Sequence, residues 1–104
     1  MTRGDVYRIR LPAGRGREQR GPRYGVVVQA DALLGLSTAI VAPTSRGAAC
    51  ATFRPEIVVA GDMTRVLVEQ LRAVDLHRLD EHVGHLGVDE QRAVDDALEL
   101  VLGL

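Results

Sequence analysis

Arg15, Arg17, Arg20 and Arg23 surround Glu18 in a glycine-rich stretch that runs into an apolar segment, "GPRYGVVVQA" at 21–30. Further on, "AIVAPTSRG" at 39–47 delivers Thr44 and Ser45, followed by Arg46 and Gly47. A guanidinium donates paired hydrogen bonds to a phosphate, and a hydroxyl adds another. If the two apolar segments are antiparallel neighbours, Arg23 opens one strand where Thr44 closes the next. Both then share one edge of the sheet and form a phosphate-sized site that requires neither metal nor protein nucleophile. Spacing alone leaves a more ordinary reading open, in which Arg23 pairs locally with a carboxylate.

Other chemistries have little support. His82 and His85 are three apart, which in a regular strand sends them to opposite faces, and His77 is isolated, so all three read as surface histidines. No metal-binding motif is present and no cofactor is expected. Neither G-x-S-x-G nor a lysine-bearing phosphate loop occurs. Cys50 is the single cysteine, which excludes an internal disulfide. Arg46 lies near it in sequence, but a small filler thiol is the simpler reading.

These residues must be positioned by a chain of 104 residues, the length of a single domain spanning 1–104. Hydrophobic residues make up 46%, yet the aromatics are only Tyr7, Tyr24 and Phe53, so the core must be aliphatic. So few rings argue against single-strand binding on an aromatic platform. All 13 cations are arginine. Residues 1–54 carry nine arginines against three acids, and residues 55–104 carry four against eleven. The basic half could attract a polyanion, or the two halves could fold together and neutralise each other. No run is long enough to span a membrane and the N-terminus lacks an apolar signal core, so a cytoplasmic protein is expected.

Alternation in "DVYRIRL" (5–11) predicts a half-buried strand, with Val6, Arg8 and Arg10 on one face and Tyr7, Ile9 and Leu11 on the other. Residues 12–22 read as a loop. Further strands are expected at "RYGVVVQ" (23–29), at "STAIVAPT" (37–44) ended by Pro43, and at "MTRVLVEQ" (63–70). One interrupted strand or two short ones are expected within 51–60, with a hairpin signalled by "GD" at 61–62. The stretch 71–88 is mixed, with a strand near 82–86. "VDEQRAVDDALELVLGL" predicts a helix with Val94, Ala97, Leu98 and Val101 on one face and Asp89 as N-cap. The whole reads as mainly β with a C-terminal helix, as a small curved sheet or barrel.

Five blocks in order make the chain resemble the MazF/PemK (Kid-like) toxins of bacterial toxin–antitoxin pairs. They are "RGDVY" (3–7), "GREQRGPR" (16–23), "VVVQAD" (26–31), "AIVAPTS" (39–45) and "VLVEQLRAVDLHRL" (66–79). One departure stands out: Tyr24 follows the loop arginine where most relatives have proline. The resemblance implies a small SH3-like barrel of the MazF/CcdB type, a two-fold homodimer, and metal-independent cleavage of single-stranded RNA. The RNA's own 2′-OH would attack, leaving a 2′,3′-cyclic phosphate and a 5′-OH. Carried onto this sequence, Arg23 and Thr44 are the catalytic pair. Glu18 or Glu69 would assist as acid or base, unless Glu69 pairs with Arg65 or Arg72. Arg15, Arg17, Gln19, Arg20, Ser45, Arg46 and Gln70 would bind RNA. A MazE-like antitoxin is the expected protein partner. Two competing readings are a gyrase-binding poison of the CcdB type and a catalytically degenerate nucleic-acid binder.

Overall fold

The computed structural model describes residues 1–12, 16 and 21–104, with Gly21 and Pro22 described by their backbone alone. Seven strands form among them: β1 (Asp5–Leu11), β2 (Gly21–Val27), β3 (Thr38–Ser45), β4 (Glu56–Val59), β5 (Asp62–Val66), β6 (Arg72–Asp75) and β7 (Leu79–His85). Helix α1 (Val88–Leu102) follows. All pairings are antiparallel. The strand order is β4-β5-β3-β2-β1-β7, and β6 also pairs with β3. The result is the mainly β half-barrel with one C-terminal helix that the sequence implies.

The central strands are apolar without interruption because both of their faces are buried. Val26 and Ala42 face one cluster with Val6, Ile57, Val66, Val94 and Ala97, under α1. The next residue in β2, Val27, and the preceding residue in β3, Val41, face the other way, into a cluster with Ile9, Leu11 and Val74. β1 keeps its expected alternation. Val6, Ile9 and Leu11 are buried, while Arg8 and Arg10 stay exposed on the face that Val6 begins.

Several local expectations change. β3 runs through Pro43 to Ser45. The Pro43 carbonyl accepts the Leu67 N–H at 2.8 Å, on the side where β3 exchanges β6 (paired at 38–41) for β5 (paired at 44–45). At that changeover no ladder bond requires the missing proline N–H. "VEQ" at 68–70 is a 3-10 turn rather than the end of a strand. β6 was not expected, and residues 51–55 form no strand, leaving only β4 from that stretch. Gly87, not Asp89, caps α1: its N–H donates to Glu90 Oε1 at 2.9 Å. The second Glu90 oxygen accepts the Val58 N–H at 2.8 Å, which ties the helix start to β4.

The β4–β5 hairpin turns on Ala60 (φ 52°) and Gly61 (φ 85°). Two left-handed residues in a two-residue loop match the right-handed twist of the strands, and Asn-Gly suits them best. Ala60→Asn is therefore expected to raise stability by roughly 0.5–1 kcal/mol. A urea titration checks this, and an unchanged midpoint would show that the turn carries no strain. Among the described residues, no helix is long and apolar enough to cross a membrane.

Candidate functional site

Antiparallel pairing of β2 with β3 sets Gly25 opposite Pro43, which places Tyr24 beside Thr44 and Arg23 beside Ser45. The start of β2 and the end of β3 therefore meet, as the sequence suggested. They open onto a cleft of about 360 Å³ lined by Arg8, Arg23, Tyr24, Thr44, Ser45, Arg46, Gly47, Val59, Asp62 and Thr64. Arg23 and Tyr24 are consecutive, so their side chains leave β2 on opposite faces. Both residues line the cleft.

Thr44 is 3% exposed, and its Oγ1 donates to the Tyr24 carbonyl at 3.1 Å. Its hydroxyl proton is thus committed to the neighbouring strand in this state. Arg46, in the turn after β3, pairs with Asp62 of the hairpin at 3.2 Å. Arg8 arrives from β1, opposite Tyr24 in the register. Its Nη2 donates to the Tyr24 hydroxyl at 3.4 Å, and its guanidinium lies 5.3 Å from the ring centroid. Sequence reasoning did not single out Arg8, Asp62 or Thr64. For Arg8 the sequence shows only an alternating strand, and the pairing of β1 with β2 is what brings it to the cleft.

The basic and acidic halves of the chain do neutralise each other in part. Arg3 pairs with Asp95, Arg10 with Asp80, Arg46 with Asp62 and Arg54 with Glu69. Arg8 and Arg23 have no carboxylate partner among the described residues. The cleft thus carries three guanidinium groups against one carboxylate, and that carboxylate is already paired.

Glu69 lies elsewhere. One of its oxygens takes both Arg54 Nε (2.9 Å) and Nη2 (2.6 Å), while its Oε1 is buried without a partner among the described residues. Its partner is neither Arg65 nor Arg72; Arg65 instead pairs with Glu56 at 3.2 Å. Neither Glu69 nor Gln70 lines the cleft. Arg15, Arg17, Glu18, Gln19 and Arg20 fall outside the described residues.

The opposite-face expectation for His82 and His85 is overturned. In the register with β1, Val6 faces Gly84 but Tyr7 faces His82, so Val83 is an extra residue that breaks the two-residue period. Both rings reach Asp5 Oδ1, His82 Nε2 at 3.1 Å and His85 Nδ1 at 2.9 Å. Burial pushes the Asp5 carboxyl up. Bonds from His85, the Thr2 N–H and His82, with the charge of His82, outweigh it and hold the group at about 2. The unfolded value is 3.8, so the stability gained, about 2 kcal/mol, is present above pH ~4. It is lost as pH falls toward 2. Asp5→Asn should therefore be less stable by about that amount at pH 7 and equal to the parent near pH 2. Denaturant titrations at the two pH values check this, and a gap independent of pH would assign the effect to packing.

The comparisons with known proteins point one way. Residues 2–102 match the family described as the PemK-like, MazF-like toxin of type II toxin–antitoxin systems. A candidate toxin of Mycobacterium tuberculosis is 41% identical over 106 residues, covering 100% of this chain and 99% of that protein. The crystal structure of MazF (Form-I) from Deinococcus radiodurans superposes with a TM-score of 0.87 at 22% identity, covering 100% of this chain and 97% of that one. An endoribonuclease in complex with its cognate antitoxin, from a mycobacterial species, gives 0.82 at 16% identity and covers 100% and 96%. At those identities the two structures establish the fold alone. The sequence matches carry the assignment: this chain belongs to the PemK-like, MazF-like toxin family of type II toxin–antitoxin systems.

Proposed function

We propose that this toxin is an endoribonuclease that cuts single-stranded RNA at a short sequence without a metal. One observation carries the reading: Arg8 and Arg23, cations with no carboxylate partner among the described residues, share a cleft with Thr44 and Ser45. Such a site suits a phosphate, and the described residues that line it include no activated protein nucleophile. The attacking group then belongs to the substrate. The 2′ oxygen bonds to the adjacent phosphorus, its proton leaves to a base, and the P–O5′ bond breaks. The 5′ oxygen takes up a proton, leaving a 2′,3′-cyclic phosphate and a 5′-OH.

Arg23 supplies paired donors to the phosphorane oxygens, whose charge grows as the new bond forms. Thr44 Oγ1 exchanges its bond to the Tyr24 carbonyl for one to a phosphate oxygen once substrate is seated. Ser45 and Arg46 hold the flanking backbone, and Arg46 gives up the exposed Asp62 to do so. Glu18 stays a candidate base. Glu69, held by Arg54 outside the cleft, is the weaker candidate.

The reading extends to assembly. Val58 (63% exposed), Met63 (44%) and Leu100 (61%) present apolar surface that a two-fold copy would cover. A mycobacterial relative by fold was solved with its cognate antitoxin, which supports an antitoxin here, with an acidic segment suited to the arginine-lined cleft. A cytoplasmic site of action follows from the substrate. The test is incubation of purified protein with long RNA in EDTA, followed by mapping of new 5′-OH ends. Cuts at one fixed short motif are expected. Intact RNA together with inhibited DNA supercoiling would replace this reading with a gyrase poison.

A further inference from the structure

We infer that Tyr24 is the base-stacking residue of this cleft, seating one unpaired nucleobase next to the phosphate held by Arg23. The inference rests on the endoribonuclease reading and adds to it a residue that reads the substrate. Composition argued against a platform of many rings, but a single ring in the right place is enough for one base. Tyr24 is the only aromatic residue among the described residues that line the cleft. Tyr7 packs edge-on to His82, and Phe53 sits under Arg54.

The ring is fixed in relation to the chemistry. It follows Arg23 directly in β2, and its own carbonyl holds the Thr44 hydroxyl at 3.1 Å. It rests partly buried against the core under α1. What covers the ring toward solvent is held weakly. Arg8 lies over it at 5.3 Å, with a hydroxyl contact of 3.4 Å on an exposed pair. Arg8 has no carboxylate partner among the described residues to keep it there. Its position shows that this face accepts a flat, electron-poor group. A nucleobase fits the same face and makes a larger contact than the guanidinium. The displaced Arg8 keeps its charge in the cleft, where a phosphate flanking the seated base is its natural partner.

The test combines two tyrosine variants with a set of short RNAs that span the cleaved motif, each with one base replaced by an abasic nucleotide. Tyr24→Leu keeps an apolar side chain on the core, and Tyr24→Phe keeps the ring; thermal melts confirm that both are folded. For the parent protein, one abasic position is expected to lower kcat/KM by roughly 5- to 150-fold, the range of a single base–aromatic stack. Tyr24→Leu should lose a similar factor on the intact RNA and become insensitive at that one position, while Tyr24→Phe behaves like the parent. If Tyr24→Leu cuts at the parent rate and keeps the parent's response at every position, Tyr24 is only a packing residue and the inference is overturned. The endoribonuclease reading would survive that result. A parent protein that cuts none of the intact RNAs would overturn both.

Discussion

Arg23→Ala is expected to lower kcat by roughly 10²–10³ while the protein stays folded. The rate effect follows from where charge develops. A guanidinium at the phosphorane oxygens stabilises the transition state more than the ground state, and its loss appears mainly in kcat. Stability should change little, because Arg23 is exposed and makes no ion pair with any described residue. Arg23→Lys should recover only part of the loss, since an ammonium keeps the charge but not the two-pronged geometry. Single-turnover kinetics on a defined RNA, beside a thermal melt, measure both quantities. Near-normal cleavage by Arg23→Ala would remove this residue from the chemistry.

Thr44→Val should also lower kcat by roughly 10²–10³, with a different signature. Thr44 is buried, and its hydroxyl is bonded to the Tyr24 carbonyl, so valine removes the donor proposed to act in catalysis and a structural bond together. The structural part is small, about 1 kcal/mol for one neutral hydrogen bond. A stability loss of that size cannot produce the rate loss. Thr44→Ser keeps the hydroxyl and should keep most of the activity. If Thr44→Val loses stability but cuts RNA at the parent rate, the hydroxyl serves only to join β2 to β3.

The elements that build the site were legible in the sequence where a simple period governs them. β1 shows strict alternation over Arg8–Leu11, and β2 and β3 show the continuous apolar run of strands buried on both faces. With the two strands taken as antiparallel neighbours, that pattern put Arg23 and Thr44 at one edge, and the β2–β3 register agrees. The hairpin was signalled by Gly61. The helix was signalled by Val94 and Ala97, and its true cap by Glu90 three residues after Gly87. β6 was hidden because in "RAVD" only Val74 is buried, too little for a period to show. "VEQ" resembles a strand end locally, but Val68 is buried there within a 3-10 turn. The meeting of His82 and His85 on Asp5 depends on the extra residue Val83, and no composition rule places such a bulge. Arg8 entered the site through the pairing of β1 with β2, a relation between strands rather than a property of either.

The central claim is that the substrate supplies its own nucleophile, and one modified RNA tests it directly. A short RNA containing the cleaved motif is made with the 2′-OH removed only at the nucleotide 5′ to the cut bond. The modified strand is expected to remain intact at that bond and to inhibit cleavage of the unmodified strand competitively. It keeps every phosphate that Arg8, Arg23 and Arg46 can bind and lacks only the attacking oxygen. Cleavage of the modified strand at the same bond would contradict the account, because another nucleophile would then be at work.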